Sequence, residues 1–132
     1  MDLTSLSTTE KAEAGFKMEI VNPATGVPVG ASITLAGTDS KIYQDAQHKI
    51  ANKRMKRMNS RGGMKFALTS EEVEFESIEL LARCTLGWDD VDWEGSPLKF
   101  SLENAKMVYT ELLWLREQCV VAMEDRSNYL QD

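Results

Sequence analysis

The strongest folding instruction in the chain is Thr69-Ser70-Glu71-Glu72. It is a capping box, with Thr69 as the cap and Glu72 three residues on. Leu68 and Val73 fall at the positions of a hydrophobic staple, and Glu71, Glu72 and Glu74 put negative charge where a helix start is positive. Val73, Ser77, Leu80, Leu81 and Cys84 then share one helical face, with Phe75, Ile78 and Ala82 on a neighbouring one. A helix apolar over so wide an arc is expected deep in a core, and Gly87 suits its stop. A second start stands at Phe100-Ser101-Leu102, with Ser101 as cap. From there Leu102, Ala105, Tyr109, Leu112, Leu115, Cys119, Val120 and Met123 recur at helical spacing to about Tyr129, and Leu113, Trp114 and Val121 widen the stripe. So long a helix in a small domain predicts a bend near Leu113-Trp114. The segment between the two helices, Trp88 to Pro97, reads as a loop pinned by Trp88 and Trp93.

The N-terminal half reads differently. Phe16-Lys17-Met18-Glu19-Ile20-Val21 alternates with period two, Asn22-Pro23-Ala24-Thr25-Gly26 is a turn, and Val27, Val29, Ala31, Ile33 and Leu35 share a second strand face. A hairpin alone is marginal in water, so this one must lie on helices or pair with another chain's strand. The second alternative admits a homo-oligomer. Gly37-Thr38-Asp39-Ser40 is a turn with caps to offer, followed by a helix from Lys41 to about Asn59 whose apolar stripe is thin (Ile42, Tyr43, Ala46, Ile50, Met55, Met58). Its second half is expected to project into solvent or to wait for a partner, with Ser60-Arg61-Gly62-Gly63 as a hinge. Residues 1–15, polar and without periodicity, read as a flexible N-terminal arm. The expectation is therefore an α+β chain, a mainly helical single domain over 16–132: a β-hairpin (16–36), a basic helix (40–60) and a helical core (69–130).

Composition supports a packed core, with 42% hydrophobic residues, and there is no apolar run of membrane-spanning length. The opening residues lack the pattern of a secretion signal. Charge is divided. Residues 1–65 hold 10 Lys/Arg and 6 Asp/Glu, net +4; residues 66–132 hold 5 and 15, net −10. Lys49, Lys53, Arg54, Lys56, Arg57 and Arg61 form a basic patch on one predicted helix. Such a patch can attract phosphates. The acidic half opposes nucleic acid, however, and few aromatic residues accompany the patch for base stacking. A solvated face, or one that meets an acidic protein surface, fits it better.

Catalytic and metal motifs are missing from the sequence. Asp90-x-Asp92-x-Glu94-Gly95 begins like a calcium loop, but position 12 is Ser101 and position 8 is Pro97. His48 is the only histidine, so zinc is not expected. Cys84 and Cys119 lie on apolar helix faces and read as buried thiols. No phosphate loop, dinucleotide fingerprint or nucleophile elbow occurs. The reading is a protein without enzymatic activity, catalytic residues, metal or cofactor. Its seven methionines and broad apolar helix surface read first as core; the alternative is a groove for another protein's amphipathic helix. Met55, Met58, Met107, Leu113, Trp114 and Val121 are the candidate contacts, with Met64 beside the Gly62-Gly63 break.

Two stretches together carry a resemblance. One runs Phe16 to Gly26 and on through Gly37-Thr38-Asp39-Ser40. The other comprises Leu80-Leu81-Ala82-Arg83-Cys84-Thr85-Leu86-Gly87-Trp88, Gly95-x-Pro97-x-x-Phe100-Ser101-x-Glu103-Asn104-Ala105, Trp114-Leu115-Arg116-Glu117-Gln118 and Asn128-Tyr129-Leu130. Over about residues 16–130 the chain resembles the tail assembly chaperones of lambda-like long-tailed (siphovirus) bacteriophages. The resemblance implies a late, non-enzymatic protein of the host cytoplasm, absent from the mature virion. Its partners would be the tape measure protein, which it binds, and the tail tube protein, which it recruits. A longer form of itself, made by ribosomal frameshifting, would be a further partner, and this chain, ending at Asp132, would be the short form. The alternatives are a structural tail completion or connector protein, whose hairpin edges pair between subunits, and, less favoured, a nucleic-acid-binding module using the basic helix.

Overall fold

The computed structural model describes residues 1–60 and 68–130. The architecture is α+β and mainly helical, with the N-terminal hairpin in place. Helix α1 (Thr9–Ala14) leads into strands β1 (Phe16–Val21) and β2 (Pro28–Leu35), then helices α2 (Lys41–Ser60) and α3 (Ser70–Cys84). Strand β3 (Thr85–Asp89), a two-strand ribbon of β4 (Asp92–Trp93) and β5 (Ser96–Pro97), and helices α4 (Leu102–Glu111) and α5 (Leu113–Glu124) complete the chain, with a 3-10 turn at Arg126–Tyr129. Sheet order is β1-β2-β3, antiparallel throughout.

The hairpin packs on helices. Met18 and Ile20 of β1 and Ile33 and Leu35 of β2 are buried against Leu81, Cys84, Tyr109, Leu115 and Cys119. The predicted single face of β2 holds only in its second half. Phe16 to Glu19 pair in register with Leu35 to Ser32, but Val21 pairs with Pro28, so the register shifts there. That irregularity carries the hairpin tip beyond the core and leaves Val27 and Val29 exposed.

The flexible arm, the stop of α3 and the loop after it need correction. Residues Leu3–Leu6 form a 3-10 turn, and α1 docks onto the turn before α2. Ala12 is fully buried, its carbonyl accepts from the Gly37 N–H at 2.9 Å, and a Cβ on Gly37 would stand 2.8 Å from that of Ala12. Thr8 Oγ1 donates to Asp39, and Glu13 accepts from the Lys41 N–H at 2.7 Å. These are polar, non-local bonds, which no hydrophobic period reveals. The second is the stop of α3. The helix ends at Cys84, and Gly87 lies inside β3, opposite Thr34. Thr85 turns the backbone extended and donates its hydroxyl to Leu81 O at 2.8 Å. The third is the loop from Trp88 to Pro97. Trp88 belongs to β3, donates Nε1–H to Leu98 O at 2.8 Å and meets Phe100 edge-on at 5.1 Å. Trp93 pairs with Ser96 across Glu94-Gly95, both at positive φ, the geometry of a type I′ hairpin.

The helix starts fall where the sequence puts them. Ser40 Oγ accepts from the Tyr43 N–H, and Ser101 caps α4 through the Asn104 N–H. At α3 both halves of the capping box form: Thr69 Oγ1 accepts from Glu72 N–H at 3.1 Å, and Glu72 accepts from Thr69 N–H at 3.3 Å. Thr69→Ala is expected to lower stability by about 1 kcal/mol, read as a urea midpoint shift with unchanged slope. Only the C-terminal part of α3 is deep in the core, because Val73 and Phe75 remain exposed. The expected bend in the last helix is a break at Leu112, whose φ of −117° and ψ of 86° separate α4 from α5 without a proline. α5 stops at Glu124, short of the expected Tyr129. No helix among the described residues is long and apolar enough to cross a membrane.

Candidate partner-docking surface

The basic helix finds acidic partners within the chain. α2 packs along α3, so carboxylates at four- and three-residue intervals on α3 meet cations on α2. Lys53 Nζ lies 3.0 Å from Glu79, Arg54 is bidentate on Glu76, and Arg57 reaches Glu76 at 2.8 Å and Glu72 at 3.8 Å. Burial pushes the Glu79 carboxyl up, but hydrogen bonds from Arg83 and Lys53 outweigh it and hold its pKa below the ordinary value. The Arg54 guanidinium does the same for Glu76. The second half of α2 therefore lies on α3 along this face, where the sequence had suggested a projecting end. Lys49 and Lys56 are exposed and make no ion pair among the described residues. Arg61, Met64 and the Gly62-Gly63 hinge lie outside the described residues.

The six candidate contacts divide between surfaces. Met55 is 56% exposed on α2, with Met58 half-buried one turn on. Met107 on α4 is half-buried and packs against the core. Leu113 is 56% and Val121 70% exposed on α5, with Trp114 half-buried between them and the core.

Trp114 and Val121 are brought together with the edge of the sheet. α5 lies against β1, and between them runs an open groove of about 670 Å³. Met18, Pro23, Trp114, Val121 and Ala122 give it an apolar floor. Its rim carries Glu19, Glu117 and Asp125 and no basic side chain. Glu19 and Glu117 make no ion pair among the described residues. Asp125 accepts from the Ser127 hydroxyl and N–H, which hold its carboxyl below the usual range. Gln118 fixes one wall: its Nε2 donates to Val21 O at 2.9 Å and its Oε1 accepts from Val21 N–H at 3.2 Å. Asn128 donates to Ala122 O at 2.9 Å and closes the end of α5.

Sequence reasoning found Trp114 and Val121 but not Met18, Pro23 or Gln118. The available signal was Gln118 itself, an amide set among the apolar residues of a long helical stripe. The two thiols are free and buried, and burial pushes each up to about 12. His48 is exposed on α2. No family model matches the chain, and comparison with curated proteins and with solved structures finds no match.

Proposed function

We propose that the protein is a non-enzymatic tail assembly chaperone of the long-tailed phage type, which holds the tape measure protein and helps to bring tail tube subunits to it. The observation that carries this reading is a coincidence of place. Trp114, Glu117 and Gln118, from the stretch that resembles those chaperones, supply part of one wall of the apolar groove. A tape measure is a long helical chain with apolar stripes, and a holder for it needs apolar surface rimmed by charge. The groove, with Val121 exposed in its floor, has that character. On this reading the protein acts in the host cytoplasm, alongside a longer frameshifted form of itself, and leaves before the virion is complete.

Co-expression with the tape measure protein of the same genome is expected to raise that protein's soluble yield severalfold. No rise, from a well-folded chaperone, contradicts the reading. A structural tail component is the second reading, favoured by the exposed Val27 and Val29 at the hairpin tip. Mass spectrometry of purified particles separates the two, since the chaperone is expected to be missing. The nucleic-acid reading loses weight, because Lys53, Arg54 and Arg57 are already engaged by carboxylates of α3.

A further inference from the structure

We propose that the β1–α5 groove takes a cationic amphipathic helix of another polypeptide, with an apolar stripe on the floor and Lys or Arg side chains at the rim. The proposal rests on the reading that this surface is lent to a partner, and it names the chemistry of that partner.

Two features select the occupant. The first is charge complementarity. Three carboxylates border an apolar floor, and the nearby cations are turned elsewhere. Arg116 pairs with Glu74, Arg126 with Asp39 and Lys17 with Asp89. An anionic or neutral helix would leave Glu19 and Glu117 facing like charge or no charge, whereas a basic one meets both. The second is backbone chemistry. An extended peptide could bind by adding a strand to β1. At this end of the edge, however, both backbone groups of Val21 are held by the Gln118 amide, and Pro23 has no N–H. An occupant must therefore dock through side chains, as a helix does. Trp114 and Val121 lie seven residues apart on α5, about 10.5 Å along its axis. That is the repeat of residues i and i+7 on an incoming helix lying alongside.

The test uses the full chain and two synthetic helical peptides of about 20 residues, enough for several turns. They share one Leu/Val/Met face and differ only in flanking Lys/Arg or Glu. By calorimetry at low salt the cationic peptide is expected to bind about tenfold tighter than its anionic twin, the equivalent of two or three rim ion pairs. The preference is expected to shrink at about 0.15 M salt. Val121→Ser, an uncharged change at an exposed position, is expected to weaken the cationic peptide about tenfold through a lost apolar contact. Phe75→Ser, at an exposed position on α3, is expected to leave binding unchanged, and the double variant E19K/E117K to reverse the preference. Equal affinities for the twins, an unaffected Val121→Ser variant, or loss on Phe75→Ser would overturn the proposal. So would a peptide-free oligomer that Val121→Ser converts to monomer, because a second copy would then be the occupant. The failures are distinguishable. Peptide binding as expected with no gain in tape measure yield removes the tail-assembly reading and keeps the groove. A yield gain that Val121→Ser leaves intact removes the groove and keeps the reading.

Discussion

Tyr109→Ala is expected to cost the protein about 4 kcal/mol, as truncation of a fully buried aromatic ring does. The ring is completely buried on α4, inside the cluster formed by the sheet, α3 and α5. Its hydroxyl adds a second contribution. Thr85 spends its own proton on Leu81 O, so the 2.7 Å contact between the two hydroxyls has Tyr109 as donor. Cys119 Sγ in turn lies 3.9 Å from the Tyr109 oxygen. A polar thread thus runs from α5 through α4 to the last turn of α3, across an otherwise apolar core. Tyr109→Phe keeps the ring and removes the thread, and is expected to cost about 1 kcal/mol. Urea unfolding of the two variants checks both figures, and a phenylalanine variant as damaged as the alanine one would show that the hydroxyl, not the ring, holds the site.

Raising the pH above 9 is the second change expected to act strongly. Burial pushes the Cys84 and Cys119 thiols and the Tyr129 phenol up to about 12, and Tyr109 well above the ordinary tyrosine value. In the unfolded chain thiols ionise near ~8.5 and phenols near ~10. The folded protein therefore keeps protons that the unfolded chain gives up. Above pH 9 the unfolded state binds fewer protons, so stability falls as pH rises. The contribution is fully present below the unfolded values and is lost as pH climbs toward 12. At pH 10 the two thiols together remove roughly 4 kcal/mol, the phenols adding to this nearer pH 11. Urea midpoints measured under reducing conditions from pH 7.5 to 10 are expected to drop steeply, with Cys119→Ala halving the slope between pH 9 and 10. A profile flat to pH 10 would contradict the burial of these groups.

What the sequence made legible was local. The alternation of Phe16 to Val21, the capping box at Thr69, the Ser101 cap and the surplus length that ends in the Leu112 break are all written within a few residues of where they act. The misses were made by distant partners. α1 has no apolar stripe, and its one buried side chain is the alanine at position 12, pressed against Gly37. β3 contains Gly87 and only five residues, and it becomes a strand because β2 offers it a ladder. The basic run of α2 looked available because nothing in its own window shows that Glu72, Glu76 and Glu79 will line up opposite. The groove itself was half visible. The α5 stripe supplied Trp114 and Val121, but the position of β1 beside it depends on Gln118 and Val21, 97 residues apart.

Asp39 has a consequence for the whole polypeptide. Its carboxylate accepts from Thr8 and, in a fork, from Arg126 at 2.8 and 3.0 Å. Positions 8 and 126 are thereby stitched to one anchor. Asp39→Ala is therefore expected to loosen the segments around both positions at once, read as a joint loss of amide protection about Thr8 and Arg126.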